Sequence, residues 1–107
     1  MNISKELLSL VLGIEVESII GNAQNLIAYW EVNGNGRVKI GLSLDTLGRL
    51  IREKLRSMNY ITTMYIHVDT VAINLSQDGK KIYSTPPMVV RNELECSIEA
   101  LDYVVNL

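Results

Sequence analysis

The sequence predicts a small α+β protein, with one domain over residues 1–107. We expect an antiparallel sheet built from two β-hairpins, with about three helices packed mainly on one face. Three observations lead to this prediction. Residues 33–36 read Asn-Gly-Asn-Gly between two alternating runs, and both residue types tolerate the positive φ angles of tight hairpin turns. Asp-Gly at 78–79 marks a second hairpin, and an amphipathic helical pattern begins directly after the first one.

Helices are predicted where apolar residues recur every three or four positions. Residues 3–12 form a short first helix, with Ser4 as its cap and Gly13 as its end. Residues 43–58 form the clearest amphipathic helix. A C-terminal helix is predicted after Asn92, because Asn92 and Glu95 have capping-box spacing. Its buried stripe is expected at five apolar positions: Val90, Leu94, Ile98, Leu101 and Val105.

Strands are predicted where apolar and polar residues alternate. The register of the first hairpin is expected to place Trp30 and Val38 in the core. Its other face then carries Tyr29, Glu31, Arg37 and Lys39. Residues 60–68 form a further strand, rich in β-branched and aromatic residues. After residues 69–70 the apolar pattern changes from even-numbered to odd-numbered positions. This change of parity predicts a turn or a bulge at that point.

Composition and charge exclude several function classes. Hydrophobic residues make up 48% of the chain, which favours a folded protein over a disordered tail. Ten Lys and Arg against twelve Asp and Glu give a formal charge of −2, which argues against a general affinity for nucleic acid or anionic membranes. Cys96 and His67 are each the single residue of their type, so neither an intrachain disulfide nor a Cys-rich zinc site can form. We predict no metal site and no cofactor.

The sequence also bears on location. The apolar stretch 7–12 follows Glu6 and leads to no small-residue cleavage site, so we do not expect a signal peptide. No apolar segment approaches the roughly 20 residues that span a bilayer. A single cysteine fits a reducing compartment. We therefore predict a cytoplasmic protein with no membrane partner.

Two patterns offer the chemistry of catalysis. His67 and Asp69 form a His-x-Asp pair on the same side of a predicted strand, where the carboxylate could orient the imidazole for acid–base work. No serine or cysteine is tied to this pair in sequence, so a solvent-facing pair is the simpler interpretation. Cys96 could be a nucleophile, but its position off the predicted apolar stripe favours a secondary packing contact. We predict no catalytic residue.

The main candidate binding surface is basic. Arg49, Arg52 and Arg56 lie three or four residues apart and therefore share one face of the middle helix. Arg37 and Lys39, in the strand before this helix, extend the group. Arginines on one face can hold phosphate or carboxylate groups through paired hydrogen bonds. The alternative is an ordinary solvated helix face.

Self-association is predicted from two features. The C-terminal helix is as acidic as the middle helix is basic, and complementary surfaces can bring two copies, or a copy and a partner, into register. The second feature is the strand at 60–68, which could pair edge to edge with another chain if it is exposed.

Three stretches span most of the chain in order. They are Leu-Leu-Ser-Leu-Val-Leu-Gly at 7–13, a hairpin strand that runs into Ser-Leu-Asp at 43–45, and Cys-Ser-Ile-Glu-Ala-Leu at 96–101. In these stretches the chain resembles small uncharacterised accessory proteins of bacterial phages and prophages. The resemblance implies a cytoplasmic accessory protein of mobile-element type, and it implies no reaction and no catalytic residues.

Three functional hypotheses follow. The leading one is a non-enzymatic protein-interaction module that presents a folded surface to another protein, including a second copy of itself. The alternative is a nucleic-acid-binding module that uses Arg49, Arg52 and Arg56. A small hydrolase built on His67 and Asp69 comes third.

Overall fold

The structure is a computed structural model that describes residues 3–21, 25–31, 36–89 and 93–107. These residues form three helices and seven strands, and every strand pair is antiparallel. The predicted α+β class is therefore confirmed. The chain divides into two compact units, Met1–Leu47 and Gly48–Leu107. The assignment of one domain to residues 1–107 stays a prediction.

The first unit begins with helix α1 (Lys5–Leu12), whose two ends are those predicted. The Ser4 hydroxyl accepts a hydrogen bond from the Leu7 N–H at 3.1 Å, which caps the helix. Gly13 ends the helix at φ 70°, and its N–H donates to the Ser9 carbonyl. The Ser9 hydroxyl also accepts from the Val16 N–H at 3.0 Å, so it fixes the chain that leaves α1.

Three strands complete this unit: β1 (Ser18–Gly21), β2 (Asn25–Glu31) and β3 (Arg37–Ser43), in the order β1-β2-β3. Trp30 lies opposite Val38, so the two positions share one face of the hairpin, as predicted. Residues 33–35 of the predicted turn lie outside the described residues, and so does the side chain of Trp30. The core position predicted for Val38 is wrong, because this side chain is 39% exposed. Burial increases along β3 to Leu42, so only the end of the strand away from the turn is covered.

Helix α2 (Leu44–Ser57) begins immediately after β3, close to the predicted bounds. The Ser43 hydroxyl accepts from the Thr46 N–H at 3.2 Å and so caps the helix. Leu47, Ile51 and Leu55 are fully buried, as expected for the amphipathic helix predicted at 43–58. The division between the two units falls after Leu47, inside this helix.

The second unit contains β4 (Ile61–His67), β5 (Thr70–Gln77), β6 (Lys80–Ser84) and β7 (Met88–Val89). The sheet order is β4-β5-β6, and β7 also pairs with β5. The predicted hairpin at 78–79 is present, and the parity flip marks a turn between β4 and β5. Within the described residues the two predicted hairpins lie in separate sheets, not in one sheet. Local sequence patterns predict that two strands adjacent in sequence pair into a hairpin. They do not predict whether two hairpins that are distant in sequence join in one sheet.

The core of the second unit is built on β5. Its inward side chains Val71, Ile73 and Leu75 are almost completely buried, in strict alternation with half-buried neighbours. Helix α3 (Glu93–Val105) packs against this strand. The buried residues of α3 are Cys96, Ser97, Ala100, Leu101 and Val104.

This buried face of α3 differs from the predicted stripe. Ile98 is only half-buried and Val105 is exposed, whereas Cys96 and Ser97 are fully buried. A stripe chosen by hydrophobicity misses Ser97 and Ala100, and small side chains such as these let a helix approach a sheet closely. The residue Asn92, predicted to cap α3, lies outside the described residues.

Candidate functional site

A cleft of about 350 Å³ lies in the second unit, between the basic side of α2 and the start of β4. We call it the arginine cleft. Its lining residues are Arg49, Arg52, Glu53, Arg56, Tyr60, Ile61 and Thr62. The structure therefore brings together the three arginines that the helical spacing placed on one face. The cleft is large enough for a few side chains or a small ligand.

Arg52 is the most firmly positioned of the three arginines. Its Nη1 atom donates to the hydroxyl of Ser97 on α3 at 3.0 Å, and that hydroxyl in turn donates to the Glu93 carbonyl at 3.1 Å. Gly48 leaves room for the guanidinium, since a Cβ at this position would lie 3.2 Å from Nη1. Arg52 is thus held by a neutral partner, and no carboxylate of the described residues lies at ion-pair distance from it.

The other two arginines differ in their partners. Arg49 forms an exposed ion pair with Glu53, with 2.9 Å between Nη1 and Oε1, at i,i+4 spacing on α2. Arg56 is exposed. Within the described ranges, neither Arg52 nor Arg56 has a carboxylate at ion-pair distance. The cleft therefore offers two arginines whose charges are available to an anionic group.

Arg37 and Lys39, the other predicted binding residues, lie on β3 in the first unit. The backbone of Arg37 is opposite Glu31 of β2, and Lys39 is opposite Tyr29. Lys39 is exposed, whereas the side chain of Arg37 lies outside the described residues. The grouping of these two residues with the arginine cleft stays a prediction.

Strand β4 forms an edge of the second sheet, because among the described strands it pairs with β5 alone. Large apolar side chains stay exposed along it: Ile61 is 62% exposed, Tyr65 55% and Ile66 58%. Ile61 and Tyr65 point to one face of the strand and Ile66 to the other. Both faces of β4 therefore present apolar surface, and the strand predicted at 60–68 is exposed.

The hydrogen-bonding groups of β4 alternate between β5 and the free edge. Ile73 of β5 uses its N–H and its carbonyl to bond Thr85, on the side away from β4. Met64, which lies opposite Ile73, is therefore in a non-hydrogen-bonded pair with it, and its own N–H and carbonyl face outward. By the same alternation, Thr62 and Ile66 also direct their backbone groups to the free edge.

Cys96 has no feature of a nucleophile. It is fully buried, and its Sγ atom donates to the Val71 carbonyl at 3.5 Å. Burial raises the pKa of the thiol above its ordinary value, which outweighs an opposing hydrogen bond with Thr85. The expectation that Cys96 lies off the buried stripe is wrong, but a packing role is what this environment supports.

The His-x-Asp pair does not share one side of a strand, contrary to prediction. His67 is the last residue of β4, and Asp69 lies in the turn that follows. The turn begins at Val68, whose φ of 54° takes the chain out of the extended conformation. Both His67 and Asp69 are exposed.

Metal centres and membrane-spanning helices are both absent from the described part of the chain. Within the described ranges, no three His, Cys, Asp or Glu side chains come close enough to hold a metal ion. No helix in the same part of the chain is both long and apolar enough to cross a bilayer.

Sequence reasoning missed Ser97 as a partner of Arg52, since 45 residues separate them and no local pattern connects them. It also missed the contribution of residues 60–62 to the arginine cleft. A signal for the open edge was present, because apolar residues occupy both parities of β4. A strand with one solvated face would show them on one parity only.

Comparison of the chain with protein-family models, with curated proteins and with solved structures gave no match. The candidate site is therefore defined by the geometry of this chain alone.

Proposed function

We propose that this protein is a non-enzymatic interaction module that binds another protein along the free edge of β4. One observation carries the proposal: β4 keeps its apolar side chains exposed beside a row of outward backbone groups. An extended strand that pairs with this edge would satisfy those groups and cover the apolar surface, as in strand-addition complexes.

The chemistry of β4 supports this use. Edge strands are normally protected from pairing by lysines, prolines, bulges or short length. β4 is seven residues long, its sequence ITTMYIH contains neither lysine nor proline, and its register with β5 is continuous. An unprotected edge strand of this length favours a function in which a strand of another chain pairs with β4.

A second copy of the chain is one partner that fits, and we include self-association in the proposal. β4 contains no Asp, Glu, Lys or Arg, so two copies of this strand would meet without charge repulsion. Light scattering at about tens of micromolar, a range in which ordinary dimers persist, should give a mass above that of the monomer. A monomeric mass throughout this range would contradict self-association.

The decisive variant is Ile66→Pro, which removes an outward N–H without removing a bond to β5. Ile66→Ala is its matched control, because it shortens the same side chain and keeps the N–H. We expect the wild type and Ile66→Ala to retain a partner protein from a nuclease-treated bacterial lysate, and Ile66→Pro to lose it. Equal retention by Ile66→Pro would contradict binding at this edge.

Nucleic-acid binding is the second candidate function, and the gathering of Arg49, Arg52 and Arg56 in one cleft favours it. If the three arginines neutralise three phosphates of duplex DNA, log affinity should fall with log salt at a slope of about −2.7. A flat salt dependence would rule this function out. Reversing the charge of the three arginines would abolish DNA binding in this case.

Two further parts of the proposal come from the sequence. The lone Cys96 supports a cytoplasmic location, in which it stays reduced. The resemblance to phage and prophage proteins supports an accessory role in a mobile element. A fluorescent fusion in a bacterial host tests the location, since an exported protein would fractionate away from the cytoplasm.

A further inference from the structure

We propose that the arginine cleft receives carboxylate side chains of the strand that adds to β4, so that the preferred partner is an extended acidic segment of another protein. This inference rests on the proposed strand addition at β4. It assigns the anion-binding groups to Arg52 and Arg56, and it names a ligand chemistry for the arginine cleft.

The arginine cleft adjoins the free edge of β4. Ile61 and Thr62 belong both to the cleft and to the start of β4. A strand that pairs with the outward groups of Thr62 therefore passes the mouth of the cleft. Side chains of that strand alternate between the two sides of the sheet, so every second residue is directed to the side on which the arginines lie.

The spacing of the two arginines matches the spacing of alternate residues in a strand. Arg52 and Arg56 are four residues apart on α2, which corresponds to about 6 Å along the helix axis. Alternate residues of an extended strand are about 6.6 Å apart. Two acidic residues separated by one other residue would thus present their carboxylates at a matching interval.

The charges of Arg52 and Arg56 are available to a ligand. Within the described residues, Arg52 is bonded to the neutral Ser97 and Arg56 has no ion-pair partner, so each guanidinium can donate two hydrogen bonds to a carboxylate. Arg49 already pairs with Glu53. This exposed ion pair contributes little free energy, so a new partner could displace it at little cost.

A protein segment suits this site better than a polynucleotide does. The outward N–H and carbonyl groups of β4 pair with a peptide backbone, for which nucleic acid has no equivalent. Glu53 lines the cleft itself, and α3 in the same unit exposes Glu95, Glu99 and Asp102. These carboxylates oppose a long polyanion more than a short acidic segment, since repulsion adds up along the strand.

The test uses a fluorescently labelled seven-residue peptide that alternates glutamate with valine, and its counterpart with glutamine in place of glutamate. Fluorescence anisotropy should show the glutamate peptide binding the wild-type protein about tenfold more tightly, as expected for two charge-assisted contacts. The double variant R52Q/R56Q should bind both peptides equally. The matched control K80Q/K81Q, which removes the same charge from exposed positions on β6, should keep the tenfold preference.

The outcomes separate this inference from the proposed function. If both peptides bind the wild type equally and Ile66→Pro abolishes both, strand addition stands and the carboxylate site is wrong. If neither peptide binds up to about 1 mM, a limit that corresponds to very weak association, both are wrong. A preference that persists in R52Q/R56Q also overturns the carboxylate site.

Two further controls complete the design. Arg56→Gln alone replaces the double variant if circular dichroism shows that R52Q/R56Q is unfolded, because Arg52, and not Arg56, donates the hydrogen bond to Ser97 in the described part of the chain. A single-stranded oligonucleotide of equal charge is measured beside the peptides. If it binds more tightly than the glutamate peptide and loses affinity in the arginine variants, the cleft belongs to nucleic acid and the inference is overturned.

Discussion

Strand β4 pairs with β5 along its whole length, yet the two strands use their apolar side chains in opposite ways. In β5 the apolar residues Val71, Ile73 and Leu75 share one face and are almost completely buried. In β4 the apolar residues Ile61 and Ile66 lie on opposite faces, and more than half of each remains in solvent. The apolar content of β5 is thus used for folding. Most of the apolar side-chain surface of β4 stays exposed, which is why we propose a binding role for this strand.

The largest expected effect is a loss of stability when a buried side chain in the middle of β5 is shortened. Ile73→Ala should lower the free energy of unfolding by about 2–5 kcal/mol, because it leaves a cavity in a fully buried site. Ile61→Ala is the matched control and should change stability by no more than about 0.5 kcal/mol. Urea denaturation of the two variants measures both values. Equal losses would mean that β4 contributes to the core as much as β5 does.

The contrast between these strands was partly open to prediction. The turn at 78–79 and the parity flip near residue 69 are local signals, and both mark real turns. The closeness of Arg49, Arg52 and Arg56 follows from helical spacing and was predicted as well. The bond between Arg52 and Ser97 was not, because it depends on how α2 and α3 pack, and no sequence period reports this.

The next largest effect is expected at Thr85, which lies in the segment between β6 and β7. Thr85 continues the row of hydrogen bonds along this side of β5. Its hydroxyl accepts from the Ile73 N–H and its own N–H donates to the Ile73 carbonyl, both at 2.9 Å. Thr85→Val should cost about 1–3 kcal/mol, because it leaves a buried N–H without an acceptor. Thr63→Val, on the exposed side of β4, should stay within about 0.5 kcal/mol. Thermal denaturation compares them, and a neutral Thr85→Val would show that the ladder does not need the hydroxyl.

A smaller effect, confined to high pH, comes from Cys96 beneath β5. Because burial raises the pKa of the folded thiol above that of the unfolded chain, folding favours the protonated form. This contribution is fully present below the ordinary value of 9.0 and is lost as the pH rises through the folded pKa. The wild type should therefore lose stability above pH 9 more steeply than Cys96→Ala. Parallel stability curves for the two proteins would contradict this, and so would rapid alkylation of native Cys96 at pH 8.

The smallest effects should come from the arginine cleft beside β4. Glu53→Gln breaks only an exposed i,i+4 pair, which is worth about 0.3–0.5 kcal/mol, and Arg56→Gln removes no bond within the described residues. Both variants should unfold within about 0.5 kcal/mol of the wild type in urea. A loss above about 1 kcal/mol would mean that these side chains support the fold. If neither variant changes the free energy of unfolding, the charges of the cleft do not stabilise the fold. Any loss of binding in these variants then reflects lost contacts with the partner and not a loss of folded protein.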